Sequence, residues 1–241
     1  MASTLDSEGF YSDVGGVTLD GGRMGEQAQW NAQRLAYILE KDYNWSIDAI
    51  SAWFSAITYE SGFNPGCCEG GVYPPTRSTG VGLVQWTPST NLIDFTDEWG
   101  VYWYLVSSQC RKFELERTTT DSDIKQWFVM EPYYSFYMDN IGTGREPCRT
   151  FDEFTHATLT EYSMLELCAM IPEFYTRPAS WDSTDNWYRN AEAGNFWYNA
   201  LTGELPPTPP GPRPDPFPKP ILRYGKIPWF YTSGGYNVYK R

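Results

Sequence analysis

Glu60-Ser61-Gly62-Phe63-Asn64-Pro65 and, further along, Gly80-Val81-Gly82-Leu83-Val84-Gln85-Trp86-Thr87-Pro88 hold the residues best suited to chemistry. A carboxylate, an amide and an indole bracket a loop rich in Gly, Pro and Cys. Such a set suits acid-assisted cleavage of a glycosidic bond. That reaction needs one carboxyl kept protonated near neutral pH, to protonate the leaving oxygen. Burial beside Phe54, Ile57 and Phe63 would disfavour the Glu60 anion. The C-terminal end of a helix, the negative pole of its macrodipole, would do so too. An ordinary ion-paired helix end is the competing reading of Glu60. The second catalytic group stays open between Asp94, on a predicted helix, and Glu69, in the loop.

These residues need elements to position them. Ile47, Ile50, Phe54 and Ile57 recur at helical spacing behind Ser46, a helix-capping residue, and Glu60 continues their stripe. Ala28, Ala32, Leu35, Ile38 and Leu39 predict a preceding helix over Gln27–Lys41. Residues 66–80 lack helical periodicity; their Gly-Gly and Pro-Pro pairs predict a short hairpin or irregular lobe. Further helices are predicted over 90–99, 101–117, 121–137 with a break at Pro132, 151–175 as one or two pieces, and 184–201. The fold class expected is mainly α, with a small loop or β-hairpin lobe beside a cleft. A polar, Gly-rich arm (1–25) precedes the main domain (26–204). A polyproline-like tether (205–220) and a strand-like anchor segment (221–241) follow it.

Composition narrows the partners. A formal net charge of -12 argues against nucleic acid and anionic lipid. No stretch approaches the roughly 18 apolar residues of a membrane span. Residues 1–10 show no secretory signal, so synthesis in a cytoplasm and mostly reduced cysteines are expected. Cys67-Cys68 is read as two free thiols, with a strained vicinal disulfide as the other reading. One histidine and no Cys-x-x-Cys pair lead to no expected metal or cofactor. The 17% aromatic content suits either an aromatic core or stacking on sugars.

Glu-Ser-x-x-Asn-Pro followed by Gly-x-Gly-Leu-x-Gln-Trp-x-Pro resembles the signature of the goose-type lysozyme and lytic transglycosylase superfamily. The Gln-Trp-Thr-Pro run is most similar to the phage tail lysozyme branch. Asn31-Ala32, Gln109 to Glu116, Phe174 to Pro178, and Arg189 with Ala191 add to the likeness, which covers roughly residues 26–203. The resemblance implies Glu60 as catalytic acid, Ser61 bonding near it, Gln85 lining the cleft and Trp86 packing beside it or stacking on a sugar. Tyr59 joins them as a substrate-binding candidate, and Asn64-Pro65 ends the helix. It also implies peptidoglycan glycan strands as substrate, cleaved at the MurNAc-GlcNAc β-1,4 bond by a muramidase or lytic transglycosylase. The location implied is the tail tip of a virion, with other tail proteins contacting the arm and the Pro-rich tail. Without a following zinc-peptidase motif, cleavage of glycan and not of peptide is expected. Two other readings are an inactive lysozyme-fold tail module that binds glycan, and a wall-remodelling enzyme delivered by a secretion machine.

Overall fold

The structure, a computed structural model, describes residues 3–177 and 182–203. The tether and anchor segments lie outside the described residues. Among those described are eight α-helices: α1 Glu26–Tyr43, α2 Ile47–Glu60, α3 Thr90–Glu98, α4 Val106–Thr118, α5 Tyr133–Ile141, α6 Phe151–His156, α7 Met164–Ile171 and α8 Asp185–Thr202. A two-residue antiparallel pair, β1 Thr4–Leu5 and β2 Tyr11–Ser12, is the only sheet among them. The expected mainly-α class is the one adopted.

α2 is the central element. Every residue from Ala49 to Thr58 is buried, and the helix packs chiefly on α8 and α7, with α1 and α6 beside it. Ser46 starts it as the sequence suggests, its hydroxyl accepting from Ala49 N at 3.0 Å. Most large aromatics serve this core. Trp53 lies edge-on to Trp45, Phe113 and Tyr175 with centroids 4.7–5.8 Å apart, an arrangement favoured by the ring quadrupoles. α7 opens with a capping box, Ser163 and Glu166 satisfying each other's backbone N–H groups. A π-helical turn over Pro172–Thr176 follows it directly.

Two predicted helices differ from those observed. α4 begins at Val106 rather than 101. The 121–137 helix is absent before Tyr133. Asp121 instead accepts from Asp123 N at 2.9 Å, and Trp127 is drawn into the core, its indole N–H donating to Cys148 O at 3.2 Å. Phe128 N then bonds to Phe174 O at 2.9 Å, a tertiary partner that replaces the helical one. Local propensity gives way here to aromatic burial.

Residues 3–25 fold against their own chain. Asn31 on α1 grips β2 from both sides of the amide, accepting from Tyr11 N at 2.8 Å and donating to Tyr11 O at 2.7 Å. Asn64, after α2, does the same to Asp13, at 3.0 and 2.9 Å. These bonds bring the arm across the end of α2. A Cβ on Gly62, at φ 56, would sit 3.0 Å from Arg23 Cα, so the crossing requires glycine. No helix among the described residues is long and apolar enough to cross a membrane.

Candidate active site

Two stretches meet at a cleft of about 540 Å³. α2 delivers Glu60 to it, and Gln85 and Trp86 line it from the Gly80–Pro88 turn. Backbone pairing builds the small lobe between them. Glu69 N bonds to Gly80 O at 2.9 Å, Gly82 N to Cys67 O at 3.0 Å, and Trp86 N to Val81 O at 2.9 Å. The lobe is therefore a ribbon of three short extended pieces, close to the expected hairpin. The arm adds to its edge through Cys68 N to Gly16 O at 3.1 Å.

Gln109 on α4 locks the lobe to the helices. Its Oε1 accepts from Leu83 N at 2.8 Å, while Nε2 donates to Pro65 O at 2.8 Å and Trp103 O at 3.0 Å. One buried amide thus joins both motifs. It also explains Gly82: at φ 78, a Cβ there would lie 2.9 Å from Gln109 Oε1.

Glu60 sits at the wall of the cleft. Its carboxyl has no hydrogen-bond partner among the described residues and faces the cleft. Burial pushes its pKa up to about 7, against the downward pull of Arg23 and Arg189 and with a further upward push from Glu69. The net result is a carboxyl that still holds its proton in a sizeable fraction of molecules at neutral pH. Arg189 lies 4.1 Å from the Tyr59 ring centroid and Arg23 5.9 Å. Tyr59 thus serves as a platform for the two cations near Glu60, and it does not line the cleft.

The other candidates divide. Glu69 lines the same cleft, one oxygen accepting from Gly80 N at 3.0 Å. Asp94 stands exposed on α3 and is not among the lining residues. Ser61 is buried and turned away, its hydroxyl donating to Leu83 O at 2.8 Å. Gln85 lines the cleft at φ 53, its amide donating back to Gly82 O at 2.9 Å. Trp86 offers an edge to the cleft but is 3% exposed and stacks on Phe113, centroids 5.0 Å apart. Cys67 and Cys68 are free thiols. Burial pushes Cys67 up to about 12, which suits packing and not nucleophilic chemistry. No group of three His, Cys, Asp or Glu among the described residues could hold a metal ion.

Beneath the cleft lies a carboxylate whose sequence context carries no motif of its own. Glu116 on α4 is 2% exposed and accepts from the Trp86 indole N–H at 3.0 Å and from the Tyr175 hydroxyl. Lys112, one turn earlier, pairs with it at 3.5 Å. Burial pushes the Glu116 carboxyl up to about 7 while these three donors pull it down. Trp86 and Tyr175 line the cleft from different elements, so one buried carboxylate ties two parts of its lining together. The available signal was Gln109, Lys112, Phe113 and Glu116 at helical spacing, where an apolar stripe would be expected.

This geometry agrees with what the chain is similar to. The family model described as phage tail lysozyme matches residues 30–141, from α1 to the end of α5. That segment belongs to the phage tail lysozyme family. "Morphogenesis protein 1" of Bacillus phage B103 is 30% identical over 177 residues, covering 72% of this chain. The chain spans about 40% of the length of that curated relative. The family-model match ends before the π-helical turn and α8, so Tyr175, Arg177 and Arg189 lie outside the segment it covers.

Proposed function

We propose that the protein is a glycosidase that opens peptidoglycan by cleaving the MurNAc-GlcNAc β-1,4 bond, with Glu60 as the general acid. The observation that carries this reading is a carboxyl at the cleft wall, raised to about 7 by burial and unheld by any described donor. Such a group can hold a proton at neutral pH and release it to the glycosidic oxygen as the bond to the anomeric carbon breaks. Glu69 is the second carboxylate, favoured over Asp94 because it shares the cleft. One of its oxygens is fixed by Gly80 N–H, and the other has no described partner, so it can orient a water or stabilise developing positive charge on the sugar. In its family context the enzyme acts from a virion tail, opening the wall locally while DNA is delivered, and contacts other tail proteins.

Mass spectrometry of muropeptides released from purified peptidoglycan tests the reading. A new reducing end marks hydrolysis, and a 1,6-anhydro end marks transglycosylation with the substrate's own hydroxyl as nucleophile. Intact strands after digestion would rule out both and favour a glycan-binding module without activity.

Glu69 has its own signature. Its negative charge raises the Glu60 pKa. Glu69→Gln should lower the rate and also move the alkaline limb of the pH–rate profile to lower pH, because Glu60 then loses its proton earlier. A rate loss with an unmoved limb would remove Glu69 from the site's electrostatics. Asp94→Asn should change neither.

A further inference from the structure

Arg177 ends the wall of the cleft that Gln126, Tyr175 and Thr176 line. Its backbone is left-handed at φ 42, and its N–H closes the π-helical turn on Pro172 O at 2.9 Å. One guanidinium nitrogen, Nη1, donates to Gln126 O at 2.8 Å and Phe174 O at 3.0 Å. The Phe128 ring centroid lies 5.5 Å from the guanidinium carbon. These contacts fix the head group and leave Nη2 and Nε without a hydrogen-bond partner among the described residues.

No carboxylate among the described residues pairs with Arg177. The groups acting on its charge are the hydroxyls of Tyr133 and Tyr175, and burial holds its guanidinium below the usual range. This is unusual for a half-buried arginine, which normally finds an acid. The chain has 30 acidic residues against 18 Lys and Arg, so acids are not scarce. A preorganised fork in the cleft, with no carboxylate partner among the described residues, matches a planar anion that arrives with the substrate.

We propose that Arg177 binds a carboxylate of the stem peptide carried by the glycan strand. The cleft would then recognise peptide-substituted strands over bare sugar chains. This rests on the glycosidase reading, because only a bound strand would present its stem there. Arg177 is a specificity residue in this scheme and takes no part in bond cleavage.

The test is binding of two ligands, measured in a Glu60→Gln background so that turnover does not intervene. One is glycan strands with intact stems; the other is the same strands with the stem carboxylates converted to neutral amides. The parent should favour intact strands by on the order of tenfold in Kd, as expected for a charge-assisted hydrogen bond. Adding Arg177→Gln should bring the two Kd values together, and Arg177→Lys should keep part of the preference. Both ligands meet the same protein sample, so a partly unfolded variant leaves the ratio intact. Equal affinities in the parent, or an unchanged ratio in Arg177→Gln, would overturn the proposal. Absence of cleavage by the wild type would instead count against the glycosidase reading and leave the Kd ratio to be judged separately.

Discussion

Glu60→Gln is expected to lower the rate of peptidoglycan cleavage by roughly 10²- to 10⁴-fold, the usual contribution of a general acid. The amide is nearly isosteric but has no acidic proton to give to the leaving oxygen. The wild-type rate should fall as pH rises through about 7, the pKa to which burial raises this carboxyl. The same substitution should make the protein more stable, by an amount that grows with pH. The ordinary glutamate value is 4.5. Between 4.5 and about 7 the folded state holds more protons at Glu60 than the unfolded state, so stability falls as pH rises across that window. Below it both states are protonated and the residue costs nothing extra. Glu116 and Glu173, also raised to about 7 by burial, add to the same slope in the wild type. The difference between Glu60→Gln and wild type isolates Glu60. Thermal melts should show the variant gaining stability from pH 4 to pH 8. A difference that stays flat over that range would mean that Glu60 is not the buried acid described above, whatever happens to the rate.

Glu60 was legible in the sequence because one helical stripe carries both its burial and its place. Ile47, Ile50, Phe54 and Ile57 mark one stripe of a helix that is buried on every side from Ala49 to Thr58, and Glu60 follows at the same spacing. Gln85 and Trp86 were expected at the cleft from the motif's resemblance alone, and both line it. What surrounds Glu60 was not legible. Arg23 comes from a Gly-rich arm with no periodicity, and Arg189 from α8, remote in sequence; only the tertiary fold brings them near the carboxyl. Ser61 was expected beside the acid, yet the turn after α2 sends its hydroxyl to Leu83 O, because a buried hydroxyl takes the nearest backbone acceptor. The second carboxylate shows the same limit. Asp94 and Glu69 are alike as sequence, and they part only when α3 presents Asp94 to solvent while backbone pairing with Gly80 sets Glu69 in the cleft.

The pair beneath the cleft makes the largest stability prediction. Glu116→Gln leaves the Lys112 ammonium, 5% exposed, without its counter-charge. Breaking a buried pair from one side costs about 3–5 kcal/mol, so the urea midpoint should fall sharply. That loss should shrink from pH 5 to pH 8, because the wild type itself loses stability over that window as the raised Glu116 carboxyl ionises. Lys112→Met should behave differently. It removes a charge that pulls the Glu116 carboxyl down, so a carboxyl that burial already raises is protonated at pH 5 and costly to ionise at pH 8. Its cost should therefore be small in acid and large in mild base. The double variant Lys112→Met/Glu116→Gln should recover most of the stability. Its neutral amide can accept from the Trp86 indole N–H through oxygen and donate to the Tyr175 hydroxyl through nitrogen, keeping the tie across the cleft. A coupling energy near zero in this double-mutant cycle would show that the pair contributes nothing as a pair. Recovery of stability should bring back activity as well, because the charge itself is buried away from the substrate. If the double variant folds like wild type but stays inactive, the ionised Glu116 does more than hold Trp86 and Tyr175 in place.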